Sequence, residues 1–330
     1  MALSTYRSRL IDSLERLSHK LDVPASVMSA AVKANPWFTP YYIHRSLMAI
    51  RTWLDATLLE AFAAPYPCAA ASPRRVGIIA AGNLPLVGFH DVLVGLLCGH
   101  RVEVKYSHQD RVLLPWLMET LTGIMPELRR FFRGVPDIDG PDLLLATGSN
   151  NTARYLDARY SHVQRLVRRN RYSLAVLDDS WSAASLEALW EDILLYNGLG
   201  CRNVSNVVVR AGFDTVRWLD AAKTYKPDWL NPHYLEQVLH QYATHQVLEE
   251  QVYDLPAILV KPAAQPHYAE MGILYLVREE ALGSIEAYIA QIQDQIQCVV
   301  GHDTQPGKTQ WPELNDFADG VDTMALLSSC

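Results

Sequence analysis

Residues 76–85 read Val76-Gly77-Ile78-Ile79-Ala80-Ala81-Gly82-Asn83-Leu84-Pro85, a short apolar run that ends in glycine. An apolar run of this length predicts a buried strand of a parallel sheet. A helix-like apolar stretch follows over 86–97, and then an alternating strand over 101–105. A further helix is expected over 113–132 and a further strand over 143–146. This alternation of strands and helices predicts a doubly wound α/β unit.

Two further regions flank this unit. Leucines recur before it at three- and four-residue spacing, at Leu10, Leu14, Leu17 and Leu21, and predict helices through residue 64. Prolines cluster over 65–73, which predicts a linker because neither helices nor strands tolerate them at that density. A second α/β region is expected from a strand at 173–179, a helix at 183–196 and a strand at 204–209, and it extends to residue 300. The tail is expected to return as a loop with a strand or short helix.

The bulk properties indicate a globular protein of the cytoplasm. Of the 330 residues, 49% are hydrophobic and 20% are charged, which is ordinary globular composition. The net charge of −7 and the pI near 5.9 disfavour a nucleic-acid partner. The N-terminal residues do not resemble a signal peptide, and no window of about 18 residues is uninterruptedly apolar, so a membrane span is not expected.

One local basic cluster contrasts with this acidic balance. It comprises Arg165, Arg168, Arg169 and Arg171. The cluster is either a solvated edge between elements or a contact for an anionic cofactor or a phosphopantetheine-bearing substrate.

The five cysteines are scattered along the chain, at Cys68, Cys98, Cys201, Cys298 and Cys330, without a C-x-x-C pair. This pattern argues against a disulfide framework and a zinc site, so no metal is expected, and it fits a reducing cytosol. Cys201 has the most informative surroundings, because Gly198-Leu199-Gly200-Cys201 leads into the strand predicted at 204–209. Glycine backbone can approach a substrate closely. We therefore predict that Cys201 is a nucleophile toward a carbonyl or thioester.

Polar residues follow three of the predicted strands. Asn83 ends the first strand, where ligands of open α/β sheets gather, and its amide either donates to an oxyanion or terminates the strand in a turn. Lys105 ends the second and either pairs with ribose or phosphate oxygens or reaches solvent. Thr147-Gly148-Ser149 precede a predicted helix whose N-terminus favours a phosphate, although Ser149 or Asn150 can equally be an N-cap. The G-x-G-x-x-G fingerprint is absent after the first strand, so any nucleotide is bound in another manner.

Taken in order, these segments resemble the aldehyde dehydrogenase superfamily over about residues 75–325. The stretch from Ala81 to Pro85 resembles its strand-end asparagine motif, and Gly99 to Ser107 resembles its glycine, strand, lysine segment. Ala146 to Arg154 resembles its Phe-Thr-Gly-Ser turn, with Ala146 in place of phenylalanine. Gly200 to Val209 resembles the turn that carries the nucleophile. Within the superfamily the sequence pattern most resembles that of the acyl-CoA reductase branch, related to the fatty acyl-CoA reductases of bacterial bioluminescence.

The resemblance implies an aldehyde-dehydrogenase-like α/β fold with a Rossmann-like cofactor domain, an α/β catalytic domain and a helical N-terminal extension. The implied division is a helical region at 1–72, a dinucleotide-binding domain at 73–171, a catalytic domain with the cysteine at 172–300 and a return segment at 301–330. The implied catalytic residues are Cys201 and Asn83, whose amide forms the oxyanion hole with the Cys201 backbone N–H. The cofactor-binding residues implied are Lys105, Ser107, His108, Thr147, Gly148, Ser149 and Asn150.

Two departures from the family pattern refine the expected chemistry. Val167 falls at the position of the glutamate that activates water in hydrolytic aldehyde dehydrogenases, so a thioester on Cys201 is expected to exchange with a thiol and not to hydrolyse. His108 falls near the glutamate that binds the ribose 2′-hydroxyl in NAD-preferring members. Because that acid is missing and Lys105 is present, NADPH is the expected cofactor, with NADH possible.

The function so implied is NADPH-dependent reduction of an acyl thioester, from acyl-CoA or an acyl-carrier protein, to the aldehyde. Two alternatives remain open at this stage. One is NAD-dependent oxidation of an aldehyde, and the other is a catalytically inactive partner subunit with the same fold. By analogy with the family, a homo-oligomer is expected.

Overall fold

The computed structural model describes residues 3–66 and 73–329. The chain forms two compact units, one made of Met1–Asn170 with Glu313–Cys330 and the other of Arg171–Pro312. The described residues of the proposed helical region, 3–66, therefore belong to the same unit as the first sheet, and so do residues 313–329 of the return segment proposed at 301–330, whereas 301–312 belong to the second unit. The proposed linker at 65–73 falls largely on residues 67–72, outside the described residues.

The first unit is built on a five-stranded parallel sheet. Its strands are β1 (Arg75–Ile79), β2 (Arg101–Lys105), β3 (Phe132–Gly134), β4 (Leu143–Thr147) and β5 (Gln164–Arg168). The order is β3-β2-β1-β4-β5, and the register aligns Ile79 with Lys105 on one side and with Ala146 on the other. The strand order reverses between β1 and β4, which is the point where doubly wound sheets bind ligands. The doubly wound α/β prediction is confirmed.

Helices cover this sheet. They are α1 (Leu3–Ser18), α2 (Ala25–Ala34), α3 (Pro40–Trp53), α4 (Ala56–Ala63), α5 (Phe89–Leu97), α6 (Leu113–Ile124), α7 (Asn150–Arg159) and α13 (Thr323–Ser328). The leucine stripe of α1 is buried at Leu10, Leu14 and Leu17, as its spacing predicts. Thr39 and Asp55 cap α3 and α4 through their side chains. The helical N-terminal region is therefore present.

The second unit holds a six-stranded sheet. Its strands are β6 (Tyr172–Leu177), β7 (Val204–Val209), β8 (Tyr253–Leu255), β9 (Ile258–Ala263), β10 (Ile273–Arg278) and β11 (Ile296–Val300), in the order β11-β6-β7-β10-β9-β8. Only β8 is antiparallel within this sheet, as the described residues show. Its helices are α8 (Ala183–Leu194), α9 (Thr215–Ala222), α10 (Pro232–Val247), α11 (Glu279–Leu282) and α12 (Ile285–Gln291).

Two strands of the first sheet differ from the sequence-based expectation. The helix expected over 113–132 ends at Ile124, because Met125 precedes a proline and leaves the helical region at φ −127° and ψ 82°. A 3-10 turn over Pro126–Arg130 then leads into the short edge strand β3. The basic stretch around Arg165 forms the other edge strand, β5. Neither strand shows apolar alternation, so neither was predicted.

Candidate active site

The turn after β1 holds Asn83 in a crowded, well-anchored loop. A Cβ on Gly82 would lie 2.5 Å from the Ser107 Oγ and 2.9 Å from the backbone nitrogen of Asp110, so only glycine fits there. Leu86 adopts a left-handed conformation with φ 61°, and its N–H donates to the buried Asp110 carboxylate at 2.9 Å. The second Asp110 oxygen accepts from Leu113 N at 3.0 Å. The loop after β2 thus holds the loop after β1 in place through Asp110. Asn83, in the loop after β1, is half-buried.

Lys105, at the end of β2, forms an ion pair that the sequence did not indicate. Its Nζ donates to Asp137 Oδ1 at 2.9 Å, and Arg159 donates to Asp137 Oδ2 at 2.5 Å. Hydrogen bonds from Arg159 and Lys105 lower the pKa of Asp137 to about 2. The carboxylate is therefore ionised at neutral pH. Because Asp137 follows the unpredicted strand β3, no signal in the sequence placed it beside Lys105.

The other residues expected after β2 lie nearby but differ in exposure. The Ser107 hydroxyl accepts from the Gln109 N–H at 3.2 Å and packs against Gly82. His108 is exposed to solvent. Ser107 therefore stabilises the turn, whereas the His108 side chain is exposed to solvent just after the carboxyl end of β2.

The turn after β4 takes the conformation of a capped helix start. Ser149 is the N-cap of α7, and its Oγ accepts from Thr152 N at 3.3 Å. A Cβ on Gly148 would lie 2.8 Å from the Thr152 side chain, so glycine keeps this turn tight. Asn150 accepts from Asn170 N through its side chain at 3.4 Å. The capping alternative is thus observed for Ser149, whose hydroxyl takes up one of the first-turn N–H groups of α7.

A buried ion pair occupies the end of β5. Arg168 donates both terminal nitrogens to Asp91, in the first turn of α5, at 2.5 and 2.9 Å. Burial acts to raise the pKa of Asp91, but the charge of Arg168 and its hydrogen bonds outweigh burial and lower it. Val167, beside this pair, packs against a small apolar cluster. Val167 and Arg168 therefore provide no carboxylate base at the end of β5, and the charge of Arg168 is paired with that of Asp91.

The remaining arginines of the basic cluster also have protein partners. Arg165 and Arg169 donate to Asp157 at 3.0 and 2.9 Å, and Arg171 donates to the carbonyl of Ile296 at 2.9 Å. These arginines therefore pair within the protein, while the Arg169 side chain is also 56% exposed.

An open cleft of about 460 Å³ lies between α6 and β3. Its lining residues are Tyr106, Pro115, Met118, Glu119, Thr122, Arg129, Phe132, Arg133 and Gly134. The walls combine aromatic rings, aliphatic stems and charged tips, which suits a flat ring with polar edges.

The sequence resemblance implies a nicotinamide dinucleotide, and the carboxyl edge of the first sheet carries groups that suit its pyrophosphate. The pyrophosphate of a dinucleotide is an anion that prefers backbone N–H groups at a helix start, hydroxyls and a cation. Such donors are Thr147, Ser149 and the start of α7 at the end of β4, and Lys105 at the end of β2, with β1 lying between these two strands. The cleft between α6 and β3 lies beside β2 on the same sheet.

Cys201 lies in the second unit, in the turn between α8 and β7. The residue is exposed and in the thiol form. Its backbone carbonyl accepts from the Ser173 Oγ of β6 at 2.8 Å. Ser205 is the second residue of β7, which begins at Val204 as the sequence predicts. The turn thus presents an exposed thiol from backbone that is tied to the sheet.

Among residues 3–66 and 73–329, no three His, Cys, Asp or Glu side chains gather in a way that suits a metal ion. Within those residues no helix combines the length and apolarity needed to cross a bilayer.

Comparison with solved structures identifies the fold. The aldehyde dehydrogenase KauB from Pseudomonas aeruginosa is similar at a TM-score of 0.66 and 14% identity, over 93% of this chain and 78% of that protein. An aldehyde dehydrogenase from Bacillus cereus, solved with NAD+, is similar at a TM-score of 0.63 and 14% identity, over 94% and 74%. The indole-3-acetaldehyde dehydrogenase AldA from P. syringae is similar at a TM-score of 0.64 and 13% identity, over 93% and 78%.

The sequence comparisons find less. No protein-family model matches the sequence, and no curated protein sequence matches it. At identities of 13–14% the structural likeness establishes the fold, which is that of the aldehyde dehydrogenases.

Proposed function

We propose that this chain, which has the aldehyde dehydrogenase fold, reduces an acyl thioester to the aldehyde with a nicotinamide cofactor. The acyl donor is acyl-CoA or an acyl-carrier protein, and Cys201 is the nucleophile. The observation that carries this proposal is the end of β5. By the sequence resemblance Val167 falls at the position of the water-activating base, and its neighbour Arg168 is bound to Asp91. A thioester on Cys201 then lacks a base for hydrolysis and exchanges with a thiol.

The first step is attack by the Cys201 thiolate on the thioester carbonyl carbon, which forms a carbon–sulfur bond and places a negative charge on the oxygen. The Asn83 side-chain amide and the Cys201 backbone N–H are the proposed donors to that oxyanion. Collapse of the adduct breaks the bond to the donor's sulfur, which leaves and takes up a proton. The acyl group is then held on Cys201 as a thioester.

The cofactor, when bound, supplies two electrons and a hydrogen to the acyl carbon. Cys201 holds the resulting thiohemiacetal, and the Asn83 amide is again the proposed donor to its oxygen. Cleavage of the bond to the Cys201 sulfur releases the aldehyde and restores the thiolate. The proposed residues for the cofactor are Lys105, Ser107, His108, Thr147, Gly148, Ser149 and Asn150.

NADPH is the proposed form of the cofactor, since His108 brings no acid and Lys105 brings a cation. Asp137 provides a specific reason to test NADH beside it. Its carboxylate is ionised and bonded to Lys105. A carboxylate there can accept from a ribose 2′-hydroxyl and repels a 2′-phosphate, whereas Lys105 and Arg159 attract the phosphate.

A second candidate is NAD-dependent oxidation of an aldehyde, because solved proteins with this fold are aldehyde dehydrogenases and two of those described above contain NAD+. That reaction requires water to attack the thioester on Cys201. It therefore predicts acid release from an aldehyde and NAD+ without any added thiol.

The test is a substrate screen with the full chain. Acyl-CoA thioesters of short, medium and long chains are incubated with NADPH or NADH, and cofactor absorbance and aldehyde are followed. We expect acyl-dependent oxidation of the cofactor, faster with NADPH. Cys201→Ala is expected to lower kcat by at least about 10³-fold, because the covalent route is lost. Cys98→Ala, which removes a buried thiol of the first unit, serves as the matched control and keeps the activity.

Three results would contradict the proposal. Wild-type turnover by the Cys201→Ala variant would show that Cys201 is not the nucleophile. Acid formation from an aldehyde and NAD+ would favour the oxidative enzyme. An unreactive Cys201 together with no rise in melting temperature on adding either cofactor would favour an inactive partner subunit.

A further inference from the structure

The turn that carries Cys201 begins with three consecutive residues in the left-handed region. Tyr196, Asn197 and Gly198 have φ values of 55°, 62° and 69°. Only glycine adopts this conformation without strain, and a run of left-handed residues is rare. Such backbone persists when its surroundings hold it by several contacts. The chain must therefore supply those contacts close to the turn.

Asn203 supplies them. Its side chain is 1% exposed and lies two residues after the cysteine. The Nδ2 group donates to the carbonyls of Leu195 at 2.8 Å and Asp192 at 3.1 Å, with Ile193 O at 3.4 Å. These carbonyls belong to the last turn of α8 and the residue after it, where backbone acceptors lack helical partners.

The same amide also fixes the residue directly before Cys201. Asn203 Oδ1 accepts from Gly200 N at 2.9 Å, and the Asn203 N–H donates to Gly200 O at 3.0 Å. From the sheet side, the Ser173 Oγ donates to Cys201 O at 2.8 Å. One buried amide thus joins the end of α8 to the start of the cysteine turn, while β6 holds the cysteine itself.

We infer that Asn203 is the positioning residue of Cys201: its amide holds the strained turn in the geometry from which the thiol attacks the acyl carbon. The chemical half of this inference rests on the proposed function. The structural half does not, because the contacts described above involve only backbone atoms and the side chains of Asn203 and Ser173. Asn203 touches no reacting atom and acts through residues 195–201.

The matched control is Asn206, three residues further on. It is also buried, and it also bridges backbone groups, since Nδ2 donates to His267 O at 2.9 Å and Oδ1 accepts from His267 N at 3.0 Å. Its backbone partners lie in a different loop from the cysteine turn, and its other contact is with the neighbouring Ser205 Oγ at 3.0 Å. Asn203→Leu and Asn206→Leu therefore each remove buried side-chain hydrogen bonds. Those of Asn203 hold the cysteine turn, and those of Asn206 hold the backbone at His267.

The experiment measures backbone amide exchange by mass spectrometry and steady-state kinetics on the full chain. For Asn203→Leu we expect exchange over residues 196–203 to rise at least tenfold, and kcat to fall at least tenfold while KM changes less than threefold. Asn203→Asp keeps the acceptor for Gly200 N and loses both donors, so it gives a second reading should the leucine variant not fold. For Asn206→Leu we expect faster exchange near His267 and an unchanged kcat.

The outcomes separate this inference from the proposed function. Unchanged exchange over 196–203 in the Asn203 variants would overturn the holding role, whatever the activity. Faster exchange with an unchanged kcat would overturn the positioning role. A wild-type chain that reduces no acyl thioester would overturn the proposed function, and the exchange data would still decide whether Asn203 holds the turn.

Discussion

At the scale of single residues, Gly82 shows how a strand-end glycine can be required by a neighbouring loop. Its φ is not left-handed, so the requirement comes from space and not from backbone freedom. A Cβ would meet the Ser107 Oγ at 2.5 Å, the Ser107 Cβ at 2.6 Å and the Asp110 nitrogen at 2.9 Å. The last of these contacts is backbone and cannot rotate away.

Gly82→Ala is therefore expected to destabilise the first unit by about 1–3 kcal/mol, the usual cost of overpacking. Gly123→Ala is the control, because nothing lies within 4 Å of a Cβ there and the residue sits inside α6. In a helix the added methyl is expected to stabilise by about 0.5–1 kcal/mol. Urea unfolding of both variants measures the difference, and equal effects would show that the loops yield easily.

At the scale of secondary-structure elements, helix α8 carries a buried carboxylate that ties down a distant segment. Asp192 is 1% exposed and accepts from Gly307 N at 2.6 Å, Thr309 N at 3.1 Å and the Thr309 Oγ at 2.8 Å. Burial raises the pKa of Asp192 to about 6 despite these bonds. The folded chain thus holds this proton more tightly than the unfolded chain does.

Asp192 therefore favours the folded state below its unfolded pKa, and this contribution is lost as pH rises from about 4 to about 6. A shift of about two pKa units corresponds to about 3 kcal/mol. The Asp192→Asn variant does not titrate at this position. Between about pH 4 and about pH 6 the unfolding free energy of the wild type should therefore fall relative to that of the variant, by about 3 kcal/mol. Urea unfolding at several pH values measures it. A constant difference would contradict the prediction.

Helix boundaries follow from local chemistry more closely than the edge strands do. The caps at Ser149, Ser182 and Asp322 lie where short polar side chains precede helical stretches. Strands β3 and β5 carry charged residues and lie at the sheet edges. Their existence depends on pairing with β2 and β4, so it has no periodic signal in the sequence.

At the scale of the whole molecule, the first unit is closed by residues from both ends of the chain. Helix α13 packs on α5, with Met324 and Leu327 both fully buried in its core. His100, also fully buried, contacts the Leu327 carbonyl through Nε2 at 2.9 Å. The second unit is thus inserted in sequence between two parts of the first.

Leu327→Ala is therefore expected to destabilise the first unit by about 2–5 kcal/mol, through lost burial and the cavity left behind. Leu239→Ala, on the exposed side of α10 where the residue is 68% exposed, is the matched control and is expected to stay within about 0.5 kcal/mol of wild type. Thermal unfolding compares the two. An equal loss of thermal stability in both variants would show that Leu327 of α13 does not contribute to the core of the first unit.

The sequence by itself determined the layers and the positions of the turns. Apolar runs ending at Gly82 and Thr147 were sufficient to predict β1 and β4, because burial on both faces demands continuous hydrophobicity, and the alternation over 101–105 predicted β2. The exposed thiol of Cys201 and the cap at Ser149 also follow from short-range patterns.

Only the tertiary structure decided which charges meet. Asp137 lies beside Lys105 across 32 residues, and Asp91 binds Arg168 across 77. The strand order and the path of the crossovers bring each pair together, and neither is written in local periodicity. Hydrophobic patterning is a property of neighbours along the chain, whereas an ion pair depends on where the folded backbone returns.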